Sequence, residues 1–83
     1  MVNLFLIIHM ENKVKEVIVS ILTESGNYDE TKAILPSSRL KEDLGMDSFN
    51  LAELTVHIEE EFGIDIFEDG IVSTVGEIFS KLK

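Results

Sequence analysis

Ser48 is the residue whose type and setting best suit it to chemistry. It follows Glu42-Asp43-Leu44-Gly45-Met46-Asp47 and opens a strongly periodic helical stretch over 48–62. A Ser at a helix start has an ordinary structural use, because its hydroxyl can satisfy a free backbone N–H of the first turn. That makes it a preferred N-cap. Gly45, three residues earlier, allows a tight bend into that turn. On these residues alone Ser48 reads as an N-cap. No catalytic triad forms around it: His57 lies nine residues along the same helix, about 13 Å away in rise. Asp65 to Gly70 hints at a calcium loop, but Phe67 holds the third loop position and Gly76 the twelfth, where ligands are required. His57 and Glu61 stand one helical turn apart with no third ligand. No metal site is expected, and no phosphate-cradling glycine loop or zinc motif is present.

Gly45-Met46-Asp47-Ser48-Phe49, with Glu42-Asp43-Leu44 before it and Glu53-Leu54 and Ile58-Glu59-Glu60-Glu61-Phe62 after it, resembles the acyl carrier protein family. The family signature is an acidic-Leu-Gly-x-Asp-Ser-Leu core. The resemblance runs from about Met10 to the end of the chain and is strongest from Glu42 to Phe62. It implies that Ser48 carries a 4'-phosphopantetheine arm through a phosphodiester. Ser48 would then be an acceptor that a separate transferase deprotonates, so no base need lie beside it. The protein would be a carrier and not an enzyme. The arm's phosphate would sit at the start of helix two, where free N–H groups and the positive dipole end favour an anion. Asp47 places a negative charge near that phosphate, and the resemblance implies that it serves the transferase through a basic residue or its Mg²⁺. Phe49 stands where Leu is usual; it keeps the position apolar and changes the docking surface beside the arm.

The composition agrees with such a role. The chain has 83 residues, enough for one small domain with a thin core. It has no cysteine, so it has no disulfide and no thiolate of its own; the arm would supply the thiol. Sixteen acidic residues face seven basic ones, for a formal charge of −9. Between Glu42 and Ser80 there are eleven acidic residues and no Lys or Arg. That excludes nucleic acid as a direct partner, which needs a basic surface, and disfavours anionic membranes. A basic protein patch is the natural partner. Asp47, Glu53, Glu59 and Glu60 are expected to steer docking, with Met46, Phe49 and Val56 providing short-range contact. The expected partners are a phosphopantetheinyl transferase and acyl-transferring and synthase enzymes with basic docking patches. The protein is expected to be a cytoplasmic monomer without stable membrane insertion.

The elements that position Ser48 follow from periodicity. Residues 1–9 form an apolar leader, too short to span a bilayer and poor as a signal peptide; residues 10–83 form the carrier domain. Helix one is expected from Met10 to about Glu24, with Val14, Val17, Ile18, Ile21 and Leu22 on one face and Gly26 at its C′ position. A long connection, Tyr28 to Asp47, follows. Ile34, Leu35, Leu40 and Leu44 are expected to pin it, and a helical turn is expected around Arg39 to Asp43. Helix two spans Ser48 to about Phe62, with Leu51, Leu54, Thr55, Ile58 and Phe62 facing inward. Glu59, Glu60 and Glu61 crowd its C-terminus and oppose the macrodipole. A brief third helix or turn is placed around Glu68 to Ile71, and the last helix over Thr74 to Leu82 with Ser73 or Thr74 as its cap. The fold class is thus all-α: a small four-helix bundle of acyl-carrier type, with a long loop between helices one and two and a short third helix. Leu54, Ile58, Phe62, Ile71 and Ile78 are candidates to line an expandable interior for an acyl chain.

Two classes of function remain. The first is a carrier holding acyl thioesters for fatty-acid, polyketide or related lipid-synthesis enzymes; peptidyl and D-alanyl carriers share the motif, and the acidity and short length favour the acyl type. The second is an acidic helical interaction module that never carries an arm.

Overall fold

The first helix, α1, runs over Leu4–Glu24 in the computed structural model, which describes residues 4–68 and 70–82. Its buried face, Val14, Ile18, Ile21 and Leu22, repeats at helical spacing. The helix starts earlier than Met10 because residues 4–9 of the apolar leader continue the same α-helix without a break. They add little to the core: Leu4 is 69% exposed, Phe5 80% and Ile8 50%. Ile7 is half-buried, and Met10 is the first residue of the helix that packs against the core. The C-terminus closes as the sequence suggests. The Gly26 N–H donates to the Thr23 carbonyl (3.1 Å) and the Asn27 N–H to that of Leu22 (2.9 Å), which satisfies two carbonyls of the last turn.

The second helix, α2, spans Ser48–Phe62. Leu54 and Ile58 are fully buried, with Leu51 and Phe62 packed beside them. It runs antiparallel to α1: Lys13 pairs with Glu61 (3.7 Å), while Val17 and Ser20 share a groove with His57, one turn further back along α2. The third helix, α3, covers Val75–Lys81 and buries Val75, Ile78 and Phe79. Thr74 caps it, its hydroxyl accepting from the Glu77 N–H at 3.2 Å.

Residues 25–47 contain no helix, yet this long connection is tied down through its backbone. The Gly76 N–H donates to the Pro36 carbonyl (2.8 Å), the Val75 N–H to that of Ser38 (3.0 Å) and the Leu40 N–H to that of Ser73 (2.8 Å). A single antiparallel bridge joins Arg39 and Thr74. Ser38 is buried, its hydroxyl accepting from the Leu35 N–H at 2.9 Å. Leu40 and Leu44 are buried pins and Ile34 is half-buried. Leu35 is not a pin: the tight turn from Leu35 to Ser38 leaves its side chain 53% exposed. The helical turn expected around Arg39 to Asp43 appears as main-chain bonds from Asp43 to Arg39 (3.0 Å) and from Gly45 to Lys41 (3.0 Å), without extending into a helix.

The described residues contain three helices rather than four. Where a short third helix is expected around Glu68 to Ile71, the chain makes turns, with Asp69 outside the described residues. Local chemistry explains this. The Asp65 carboxylate accepts from the Phe67 N–H at 3.0 Å, offering the backbone an alternative to helix, and Gly70 has φ +128°, outside the helical region. No helix among the described residues is long and apolar enough to cross a membrane.

Two of these loop contacts generate predictions. A Cβ at Gly76 would meet the Pro36 carbonyl oxygen at 2.9 Å. Gly-to-Ala normally favours a helix by about 1 kcal/mol, but forcing an atom into a packed contact costs roughly 1–3 kcal/mol. Gly76→Ala should therefore lower stability in denaturant titration; an equal or higher midpoint would mean that the loop yields freely. The second concerns Asp43, whose carboxylate takes the Arg39 guanidinium (3.2 Å) and the Arg39 N–H (2.8 Å). These bonds hold its pKa below the ordinary value. A lowered carboxylate pKa contributes stability above the unfolded value of about 3.9 and loses it as pH falls through the folded one. The melting temperature of Asp43→Asn should lie slightly below that of the parent at neutral pH, and the two should converge as the pH drops below the ordinary carboxylate range. A gap that widens with acid would refute this.

Candidate functional site: a serine at the start of the second helix

The approach to Ser48 is fixed on both sides of one bend. The Met46 N–H donates to the Leu40 carbonyl at 2.9 Å, and Gly45 adopts φ +73°, a conformation open to glycine and strained for other residues. Met46 is 2% exposed. It is therefore a core anchor and not the docking contact expected from the sequence, because the bend turns its side chain inward.

Ser48 is not the N-cap. Asp47 is: it has extended backbone, and its carboxylate accepts from the Asn50 N–H at 2.8 Å. Asn50 reciprocates, its side-chain oxygen accepting from the Asp47 N–H at 3.2 Å. This capping box satisfies two backbone donors at once. Asn50 is 2% exposed. Ser48 becomes the first residue of α2 and is exposed; among the described residues no hydrogen bond engages its hydroxyl. The amides of Ser48 and Phe49 have no carbonyl behind them in the helix, and they lie at the positive end of its dipole. An exposed, uncommitted hydroxyl beside free N–H groups suits attachment of a phosphate-linked group. Sequence reading missed Asn50, although the Asp47-x-x-Asn50 spacing carried the signal.

The exposed side of α2 continues from this point. Phe49, Glu53, Val56 and Glu60 recur at 0, 4, 7 and 11 positions and so share one face. Phe49 is 72% exposed and Val56 53%; Glu59 and Glu60 are exposed beside them and Glu53 is half-buried. Glu61 leaves the acidic run by pairing with Lys13, so it offsets part of the crowding expected at this helix end. Among the described residues no group of three His, Cys, Asp or Glu is placed to hold a metal ion.

The expected interior lining divides. Leu54, Ile58 and Ile78 are fully buried core residues and Phe62 is half-buried, but Ile71 is 87% exposed. The turns that replace the short helix leave Ile71 outside. With Leu51, Phe67 and Val72 it borders an open groove of about 340 Å³, edged by Lys41 and Glu42. Leu51 lies one turn beyond Ser48 on α2, so the groove borders the helix that bears the hydroxyl.

A family model described as "Phosphopantetheine attachment site" matches residues 12–78 of the chain. The match covers most of α1, all of α2 and the start of α3. Its members carry covalently attached 4'-phosphopantetheine and are carrier domains that work with a phosphopantetheinyl transferase and partner enzymes. This chain belongs to that phosphopantetheine-carrier family.

Proposed function

We propose that Ser48 carries the 4'-phosphopantetheine arm and that the protein is an acyl carrier serving fatty-acid, polyketide or related lipid-synthesis enzymes. The observation that carries this reading is the exposed Ser48 hydroxyl at the first position of α2, left uncommitted because Asp47 caps the helix. A transferase supplies the base that takes the hydroxyl proton, and the serine oxygen attacks the pantetheine-bearing phosphorus of coenzyme A, forming the phosphodiester as the pyrophosphate bond breaks and adenosine 3',5'-bisphosphate leaves. The free amides of the first turn stabilise the phosphodiester's negative charge. The arm supplies the thiol that this cysteine-free chain lacks. Family membership weighs against the armless interaction module.

The apolar groove bordered by Leu51, Phe67, Ile71 and Val72 supports an acyl cargo over an aminoacyl or peptidyl one, since alkyl chains gain most from apolar contact. The docking surface in this reading is the face bearing Phe49, Glu53, Val56 and Glu60, flanked by Asp47 and Glu59. Residues 42–83 hold eleven carboxylates against Lys81 and Lys83, so a basic enzyme patch is attracted at long range and the apolar residues then make contact. The working form is a cytoplasmic monomer, and residues 10–83 suffice for the carrier domain.

Incubated with coenzyme A and a transferase, the protein should gain the mass of one arm, and Ser48→Ala should gain none; modification of that variant would place the site elsewhere. Replacing Glu53 and Glu60 with Lys should slow arm attachment, and salt should slow the parent, while circular dichroism stays unchanged. Unaltered rates in the folded double variant with no salt dependence in the parent would remove the electrostatic part of the reading.

A further inference from the structure

Asp47 and Ser48 are adjacent, and both are among the best N-cap residues. Either could begin α2, and the two outcomes differ chemically. With Ser48 as cap, its hydroxyl would be consumed by a first-turn N–H. With Asp47 as cap, that hydroxyl is free. The residue three positions on decides which cap can form a reciprocal box. For Asp47 it is Asn50, whose amide oxygen returns a bond to the Asp47 N–H at 3.2 Å. For Ser48 it is Leu51, which has no polar group to return one. The Leu51 N–H, which a Ser48 cap would need, already donates to the Asp47 carbonyl at 2.9 Å.

We propose that Asn50 is a positioning residue for arm attachment: its buried side chain locks the cap onto Asp47 and so keeps the Ser48 hydroxyl available. This rests on the reading of Ser48 as the attachment site. Asn50 is 2% exposed, its side-chain oxygen accepts from the Asp47 N–H and its backbone N–H donates to the Asp47 carboxylate. Its side-chain oxygen is thus committed to the cap, and its role is conformational. Without it, the two caps compete on nearly equal terms, and a fraction of molecules hold Ser48 in the unreactive state. The lock also fixes where the Asp47 charge lies relative to the hydroxyl.

The test uses the full chain with coenzyme A and a phosphopantetheinyl transferase. Asn50→Leu keeps the branched shape of the side chain and removes the amide; Asn50→Gln restores an amide at the box position. Both are assayed where circular dichroism shows them folded. Asn50→Leu should lose about twofold in kcat, because two caps of nearly equal strength leave about half of the molecules with the Ser48 hydroxyl engaged, with KM little changed because the acidic face is intact. Asn50→Gln should recover most of the loss. A parental kcat in Asn50→Leu, a loss seen in KM instead, or no rescue by Gln would overturn the proposal. A measurement on the parent needs no variant: the Asp47 and Asn50 amides should exchange hydrogen more slowly than those of Ser48 and Phe49, and equal rates would overturn it too. Arm attachment at Ser48 with parental kcat in Asn50→Leu sinks only the positioning role, whereas arm attachment to Ser48→Ala sinks the function reading itself.

Discussion

The reciprocal bonds between Asp47 and Asn50 decide what the start of α2 can do. A helix must satisfy its first N–H groups somehow, and here the residue before the serine does it. The bend at Gly45 and the burial of Met46 deliver Asp47 in extended backbone, ready to cap. Ser48 then enters the helix with its hydroxyl outward. The same helix start that needs a cap for stability offers the leftover amides for an anion, so structure and chemistry share one turn.

That turn is held from behind by the long connection, whose order comes from main-chain bonds rather than from a helix of its own. The bonds from the 73–76 segment to Pro36 and Ser38, and from Leu40 to Ser73, stitch it to the start of α3. Gly76 permits that approach because a side chain there would collide with the Pro36 carbonyl. Leu40 and Leu44 then bury beside α1 and α2. In a domain this small each fully buried aliphatic side chain contributes about 1.5–3 kcal/mol, so a stapled loop that donates several of them is part of the core and not an accessory to it.

Charge and burial are divided along α2. Leu54 and Ile58 face the core, and the carboxylates and Phe49 and Val56 face out. An acidic helix face with exposed apolar residues between the charges combines long-range steering with short-range contact. The Lys13–Glu61 pair shows that α1 engages one carboxylate at the C-terminal end of α2, which leaves Glu53, Glu59 and Glu60 on the outer side of the helix.

The bounds of α2, the inward stripe, the stop at Gly26, the last helix and the family itself were legible in the sequence, because each rests on local periodicity, a terminator or a motif. Asn50 was legible in principle through its spacing from Asp47, but two equal caps stood side by side, and the folded bend at Gly45 together with the Asp47–Asn50 box selects between them. Tertiary structure alone decided the rest. Met46 and Ile71 look alike as apolar residues near the site, yet one is buried and the other exposed, because their placement depends on how the turns at Gly45 and Gly70 cross the core. The leader joins α1 because extending a formed helix adds one hydrogen bond per residue fixed, even through residues 4–9 that are mostly exposed. Ser38 and Gly76 carry no periodic signal. They matter through contacts between segments more than thirty residues apart in sequence, and hydrogen bonds and close approaches of that kind are set by the packed chain, not by any local pattern.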